Sequence, residues 1–248
     1  MQLTVLGCAG TFPGPDSPCS GYLVEHDGYR LVVDLGAGAL GNLQKHCDVL
    51  DIDAVYITHL HADHCIDLVA YSYARRFHPD GLPPKLPVYG PEGSCARICS
   101  SFEEAPIDGL LDVYDFQERG VGTFELGPFT ITVGLMVHPI ECHGLRIEAG
   151  GKVLTYSADT GNSATLVELA RDADVLLCEA SWPSEPTPPP GIHLTGREAG
   201  QHATDAGAKR LLLTHLMPFH DAAVMLAEAK ESYDGPVEFV TAGATYTV

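Results

Sequence analysis

The hexapeptide HLHADH, at positions 59–64, brings together three imidazoles and a carboxylate. In extended backbone, residues two apart point the same way, so His59 and His61 can bind one cation. Asp63 and His64 follow where a helix is expected to begin, and they can face a neighbouring position. Imidazole and carboxylate ligands suit zinc, iron or manganese. Chance assembly of this pattern has a probability on the order of 0.002, so the string predicts a metal site.

A near-repeat links this segment to one close to the end of the chain. AVYITHL (54–60) and RLLLTHL (210–216) each run an apolar strand into Thr-His-Leu. In α/β sheets, ligands bind outside the carboxyl ends of the strands. We therefore expect His59 and His215 to enter one crevice from two related layers. Coincidence between two buried strands is the alternative.

The elements that must position these residues are short. Apolar runs predict strands at 2–7, 21–25, 29–36, 53–61 and 86–90, with helices at about 39–46 and 63–77. A meander is predicted over 112–156, followed by helices at 162–170, 195–206 and 221–232 that alternate with strands at 174–181, 209–216 and 236–240. This order favours an α/β fold, an αββα sandwich, with residues 1–248 as a single domain. His202 is expected on the solvent-facing side of the helix at 195–206.

The amino-acid composition limits the classes of substrate and partner that we expect for this chain. Fourteen basic residues against 33 acidic ones give a formal net charge of −19, which repels phosphate backbones. We therefore expect a small substrate and no stable nucleic-acid binding. No apolar run reaches the roughly 18 residues of a membrane span, and the first ten residues do not resemble a secretion signal. These features predict a cytoplasmic protein without a membrane partner, whose eight cysteines are reduced thiols.

Four segments together resemble the metallo-β-lactamase superfamily: HLHADH, VHPIECHGLRIEAG (137–150), LTYSADTG (154–161) and LLLTHL (211–216). The resemblance implies the four-layer αββα sandwich of that family and two divalent metal ions, zinc or manganese. The expected ligands are His59, His61 and His138 for one metal, and Asp63, His64 and His215 for the other, with Asp159 bridging the two. A homodimer is also implied by the resemblance.

Spacing alone leaves one ligand open, because His138 and His143 lie in the same turn. The family pattern selects His138 and makes His143 a loop or pocket-wall residue. Asp34 ends another strand, in LVVDLGAG. By resemblance it orients a ligand histidine, although it could instead cap the short helix that follows.

Further segments resemble the ribonuclease Z-like branch of the superfamily: residues 4–24, LLCEASW (176–182) and GIHLTGREAG (191–200). Cys178 replaces the usual histidine and Leu194 the usual serine of these motifs. The resemblance implies that His193, held by Glu179, donates a proton to the leaving oxygen, a role that suits imidazole near neutral pH. The expected catalytic residues are His193, Glu179 and Asp63. Alternatively, His193 only closes a proline-rich loop.

The tRNA-processing members of this branch usually carry a long arm that clamps tRNA, and no basic Gly-Pro-rich arm is visible here. The chain instead resembles small armless members, some of which are cyclic-nucleotide phosphodiesterases. We therefore expect a phosphodiesterase that hydrolyses a small phosphodiester such as 3′,5′-cyclic AMP. The alternatives are a tRNA 3′-processing endoribonuclease, a lactone or thioester hydrolase, and a non-enzymatic metal or thiol sensor.

Overall fold

Two β-sheets pack face to face between layers of helices. The structure is a computed structural model that describes residues 1–101 and 108–248. Its strands are β1 (Gln2–Gly7), β2 (Gly21–His26), β3 (Tyr29–Leu35), β4 (Ala54–Tyr56), β5 (Leu86–Gly90), β6 (Tyr114–Glu118), β7 (Gly122–Leu126), β8 (Phe129–Leu135), β9 (His143–Ala149), β10 (Lys152–Tyr156), β11 (Val175–Glu179), β12 (Leu211–Thr214), β13 (Val237–Phe239) and β14 (Thr245–Thr247). Its helices are α1 (Ala39–Leu43), α2 (Ala62–Cys65), α3 (Asp67–Arg76), α4 (Ser94–Cys99), α5 (Asp108–Leu111), α6 (Ala164–Leu169), α7 (Gly196–Ala206) and α8 (Ala222–Ser232).

Each sheet has seven strands within the described residues. The first has the order β14-β1-β2-β3-β4-β5-β6, and the second has the order β13-β12-β11-β10-β9-β8-β7. The facing sides of the sheets share one apolar core. Helices α1 and α3 contribute to a second apolar cluster with the first sheet, and α6, α7 and α8 pack with the second sheet. The predicted four-layer αββα sandwich is confirmed.

Strand β3 shows why the sequence folds into layers. Leu31, Val32 and Val33 alternate between the two clusters: Leu31 and Val33 belong to the core between the sheets, and Val32 to the cluster that includes α1 and α3. The register shifts at Asp34, so Leu35 also joins the second cluster. A strand covered on both sides reads as a continuous apolar run, because both of its faces are buried. The apolar run of β3 is interrupted at Asp34, a polar residue next to the carboxyl end of the strand.

Parallel pairing brings the polar residues together. Strand β4 pairs in parallel with β3, and β11 pairs in parallel with both β10 and β12. The carboxyl ends of these strands therefore meet at one edge of the sandwich, as expected for the near-repeat that delivers His59 and His215. Asp159 and Glu179 reach the same edge from β10 and β11.

Three local predictions were wrong. The meander begins at β7, not at 112, because β6 pairs in parallel with β5 of the first sheet after the intervening helices α4 and α5, and such a crossover is typical of parallel strands. The helix expected over 63–77 is two helices, α2 and α3, that meet at Ile66. His202 is buried, because α7 packs against α6, and its Nε2 accepts a hydrogen bond from the backbone N–H of Ser163 at 3.1 Å.

Among the helices in residues 1–101 and 108–248, none is long and apolar enough to cross a membrane.

The close approach of Gly36 to the segment of Asp63 can be tested by adding a methyl group at position 36. A Cβ at Gly36 would lie 1.8 Å from the carbonyl oxygen of Asp63. Gly36→Ala should therefore lower the free energy of unfolding by about 3 kcal/mol, the upper range for overpacking, as measured by urea denaturation. Gly41→Ala in α1 is the matched control, because no atom lies within 4 Å of its Cβ position. It should stabilise the protein by up to about 1 kcal/mol. Equal stability of the two variants would contradict this packing.

Candidate metal centre

Three histidines and a carboxylate form a first group of donors. His59 and His61 follow β4, His138 follows β8, and Asp159 follows β10. One donor atom of each lies within 4.8 Å of the donors of the other three. Nε2 of His138 is 3.2 Å from Nδ1 of His61, and Nε2 of His59 is 3.5 Å from Oδ2 of Asp159. These atoms surround a space the size of one cation.

A second group shares Asp159 with the first. Nε2 of His64 lies 3.1 Å from Nε2 of His215, and these nitrogens are 3.2 and 3.3 Å from Oδ1 of Asp159. Oδ2 of Asp63 completes the group, 3.4 Å from Nε2 of His215. Asp159 presents one oxygen to each group, which is the geometry of a bridging carboxylate.

The spacing of the donors fits a divalent metal. Tetrahedral ligands about 2.1 Å from a zinc ion lie about 3.4 Å from one another. Among the described residues, Nε2 of His59 and Oδ1 of Asp159 are buried without a hydrogen-bond partner. Leaving such groups unpaired is costly, and coordination to a cation satisfies both. The His/Asp clusters are therefore suited to divalent metal binding.

Hydrogen bonds behind the rings fix which nitrogen faces the centre. Nδ1 of His138 donates to the carbonyl oxygen of Ile192 at 3.0 Å, so Nε2 presents its lone pair to the first group. Nδ1 of His64 donates to Oδ2 of Asp34 at 2.8 Å, which leaves Nε2 for the second group. Partners of this kind set the orientation and basicity of ligand histidines.

The electrostatics of the two groups differ. Burial lowers the pKa of His59, His61 and His138, so these rings are neutral near pH 7, the form that binds metals. Burial also disfavours charge on His64, but the carboxylates of Asp159 and Asp34 outweigh it and raise the pKa of His64 well above its usual range. A cation at the second group must therefore displace a proton from His64.

Asp34 connects the donor groups to both sheets through hydrogen bonds. Its carboxylate, fully buried, accepts hydrogen bonds from the Thr58 backbone N–H at 2.8 Å, from His64, and from the Tyr156 hydroxyl at 3.1 Å. Because Tyr156 belongs to the second sheet, Asp34 joins both sheets beside the donor groups. Asp34 thus contacts a predicted ligand histidine, as the resemblance implies, and the helix-cap alternative is not needed to explain it.

Backbone strain accumulates in the same place. Thr11, Asp34, Ala158 and His215 have φ between 50° and 67°, the left-handed region that non-glycine residues rarely adopt. Such conformations cost on the order of 1–3 kcal/mol each and persist where surrounding contacts enforce them. Here each residue either contributes to the centre or adjoins a donor, and the N–H of Thr11 donates to Oδ2 of Asp63 at 2.8 Å.

His193 lies beside both groups and is paired with Glu179. Its Nδ1 is 2.9 Å from Oε1 of Glu179 and 3.9 Å from Oδ2 of Asp159. A capping box at Thr195 and Glu198 starts α7 two residues later and fixes the position of His193. Glu179 is fully buried, and the backbone N–H of Thr160 also donates to it, at 2.6 Å.

Ser181 is a site residue that the sequence analysis missed. Its hydroxyl is 2.8 Å from both Nδ1 of His215 and Oε2 of Glu179. When Nδ1 of His215 donates to this hydroxyl, the hydroxyl can donate to Glu179, which gives a continuous chain from His215 to His193. The available signal was its place in CEASW, two residues after Glu179.

The structure separates the two histidines that spacing left open. His138 lies in the first group, whereas Nδ1 of His143 is 2.9 Å from the Tyr56 hydroxyl and its Nε2 is 2.9 Å from Glu141. Both nitrogens of His143 are therefore engaged away from the centre. All nine residues expected in the site lie in three adjoining groups: His59, His61, Asp63, His64, His138, Asp159, Glu179, His193 and His215.

Two cavities adjoin these groups. One, of about 370 Å³, is lined by His193, the proline-rich segment 187–191, Asn162 and Arg197. The other, of about 440 Å³, is lined by His61, Arg97, Ile140 and Glu141. Each is large enough for part of a small organic substrate.

Residues 29–216 match the family model of the β-lactamase superfamily domain. The chain belongs to the metallo-β-lactamase superfamily. It is a metallo-hydrolase, and the resemblance to this superfamily on which the sequence analysis relied is confirmed. The matched range contains every donor in the two groups described above.

Similarity to individual superfamily members extends over the whole chain. An uncharacterized protein of Mycobacterium leprae is 44% identical, over 100% of this chain and 89% of that protein. The probable metallo-hydrolase YhfI of Bacillus subtilis is 31% identical over 98% of each chain, and its crystal structure superposes with a TM-score of 0.89 at 29% identity, covering 99% and 98% of the two chains. Ribonuclease Z of Myxococcus xanthus is 26% identical over 99% of this chain and 97% of that protein.

The different surroundings of His138 and His143 predict different effects on metal content. His138→Ala should lower the amount of bound metal, measured by mass spectrometry after gel filtration, because it removes a donor from the first group. His143→Gln should retain the metal of the unmodified protein, since both nitrogens of His143 are engaged elsewhere. Metal loss in His143→Gln with full retention in His138→Ala would reverse the assignment.

Proposed function

We propose that this protein is a phosphodiesterase that uses two divalent cations, zinc or manganese, to hydrolyse cyclic nucleotides such as 3′,5′-cyclic AMP or other small phosphodiesters. The observation that carries the proposal is the His193–Glu179 pair beside two donor groups that share a carboxylate. Two-metal phosphodiester hydrolysis uses two cations and, next to them, an acid that protonates the leaving oxygen.

The residues that would hold the cations are His59, His61 and His138 for one, Asp63, His64 and His215 for the other, and Asp159 for both. When bound, the cations activate water at neutral pH and neutralise charge on the phosphoryl oxygens. Asp34 and Ser181 hold the rings of His64 and His215 in place, so the donors keep their orientation through turnover.

His193 would protonate the leaving oxygen. Burial by itself lowers the pKa of His193, but the charge and hydrogen bond of Glu179 outweigh it and raise the pKa to about 9. His193 is therefore an imidazolium near neutral pH and can donate from Nε2 while Nδ1 stays bonded to Glu179. A departing sugar alkoxide needs such an acid, because it is a poor leaving group without a proton.

The charge of the chain and its length support a small substrate. The formal net charge of −19 is unfavourable for a polyanion such as tRNA. The alignment with ribonuclease Z of Myxococcus xanthus spans 303 positions, so at least 55 of them lie opposite gaps in this chain. The relative therefore carries segments that have no counterpart in this chain.

Cleavage of RNA is the second candidate, favoured by the similarity to ribonuclease Z and by the same donor groups. Lactone or thioester hydrolysis at the same donors would not require the acid that His193 supplies. A thiol sensor has less support: burial raises the pKa of Cys8 and Cys142, and that of Cys65 to about 11, so these thiols are protonated and unreactive near neutral pH.

Hydrolysis of 3′,5′-cyclic AMP by the metal-loaded protein, followed by chromatography of the product, tests the proposal. His193→Ala should reduce kcat about 100- to 10,000-fold, the range for a general acid, and should leave metal content intact. Asp63→Ala should lose both activity and metal, because it removes a donor.

His46→Ala is the control, since His46 is exposed and lies outside the donor groups. Its turnover should match that of the unmodified protein. No hydrolysis with two cations bound would exclude cyclic AMP and direct the assay to tRNA precursors and lactones. Metal loss in His193→Ala would contradict its role as an acid.

Glu179→Gln should change the pH dependence. Because activity needs protonated His193, kcat should fall as the pH rises through the pKa of His193. Removing the carboxylate charge lowers that pKa, so the falling limb of kcat should move to lower pH, toward the ordinary value near 6.5. The measurement is kcat against pH with metal content verified. A falling limb at the same pH in both proteins would show that Glu179 does not act on the essential acid.

A further inference from the structure

Two aromatic side chains lie together outside the core. The rings of Phe12 and Phe219 have centroids 4.9 Å apart and planes inclined by 51°. Phe219 is 80% exposed, the largest exposure among the large apolar side chains in the described residues. Neither ring belongs to the two apolar clusters of the fold. Phe12 is half-buried beside it, so Phe219 presents most of the exposed ring surface of the pair. Exposed apolar surface rimmed by polar groups is a feature of ligand-binding sites.

Both rings are carried by segments attached to metal-centre residues. Phe12 follows Thr11, whose N–H donates to Oδ2 of Asp63 at 2.8 Å. Phe219 lies four residues after His215. The two segments are joined by a hydrogen bond of 2.9 Å from the Gly10 N–H to the carbonyl oxygen of Leu216. The aromatic pair is therefore fixed to the side of the centre formed by Asp63 and His215.

The segments are stiff. Pro13 follows one ring and Pro218 precedes the other, and each fixes its own φ. A Cβ at Gly14 would lie 3.3 Å from Cβ of Pro218, so the two segments are in direct contact and glycine permits the approach. The backbone that carries the rings is thus constrained before a ligand arrives, which reduces the entropy lost on binding.

From this arrangement we infer that Phe12 and Phe219 form a stacking platform for a planar heterocyclic base of the substrate, while its phosphodiester lies at the donors. This inference rests on the proposed phosphodiesterase function and narrows its substrates to nucleotides. Every base has a π face, so one exposed ring can bind it without reading its edge. An acidic chain that repels the phosphate gains affinity from such an apolar contact.

The size of the pair favours a base over a macromolecule. A stable protein interface covers about 800 Å² on each partner. Two phenylalanine rings offer a small fraction of that area, which matches one nucleobase. Val137 and Ile140, which lie on either side of His138 in the sequence, are also exposed, at 43% and 38%. They add apolar surface near the donor groups.

The test compares two substrates in the metal-loaded protein: 3′,5′-cyclic AMP, and methyl ribofuranoside 3′,5′-cyclic phosphate, in which a methoxy group replaces the base. Phe219→Ala and Phe12→Ala should each raise KM for cyclic AMP about 5- to 150-fold, the range for loss of one base–aromatic stack, with kcat changed less than about twofold. KM for the base-free substrate should not change. Phe219→Trp should restore the KM of the unmodified protein for cyclic AMP.

Phe77→Ala is the matched control, because Phe77 is 72% exposed but lies at the end of α3, away from the donors. Its kinetics should equal those of the unmodified protein. If Phe219→Ala changed KM equally for both substrates, or for neither, the platform would be refuted while the phosphodiesterase function stood.

Absence of hydrolysis of both substrates by the unmodified protein would instead refute the proposed function. Titration calorimetry with adenosine 5′-monophosphate then tests the platform without turnover. Weaker binding by Phe219→Ala than by Phe77→Ala would support the platform, and equal binding would overturn it.

Discussion

The structure depends on the need to balance a buried carboxylate. Asp159 is 2% exposed, and it lies between two sets of histidines that come from distant parts of the chain. Burial alone would raise its pKa, but His215, His64 and His59 lower it well below its usual range, so the group stays charged. A buried charge is tolerated only when it is paired or bound to a metal. The segments around Asp159 are arranged to provide those partners.

The fold provides them by joining the sheets below the centre. Asp34 links β3 to Tyr156 of the second sheet, and the hydroxyl of Tyr22 lies 2.7 Å from Oγ1 of Thr214, one residue before His215. These contacts cross the apolar core between the sheets, where a hydrogen bond is stronger than in water. The strained φ angles of Asp34 and His215 are held by the same contacts. Donor geometry is therefore set by the packing of both sheets.

Around this rigid centre, the residues that would select a substrate lie on loops. His193 follows the proline-rich segment, and Phe12 and Phe219 lie on proline-bearing loops next to Asp63 and His215. Loops on a rigid scaffold can change without loss of the fold. Because the donors belong to the scaffold and the substrate-selecting residues to loops, relatives named as a metallo-hydrolase and a ribonuclease can share one architecture with this chain. Under the proposed function, the specificity of this protein would lie in a few side chains on these loops.

The sequence by itself determined the fold class and the candidate donors within HLHADH, because apolar periodicity and the spacing of that motif are local properties. His138 and Asp159 were expected only through the family resemblance. It could not decide between His138 and His143, which lie in one turn and differ only in the distant residues they meet, His61 for one and Tyr56 for the other. It placed β6 in the wrong sheet and His202 on the surface, since pairing and burial depend on segments far along the chain. The roles of Ser181 and of the Phe12–Phe219 pair were also invisible, because a serine and two phenylalanines acquire them only through contacts that the tertiary structure creates.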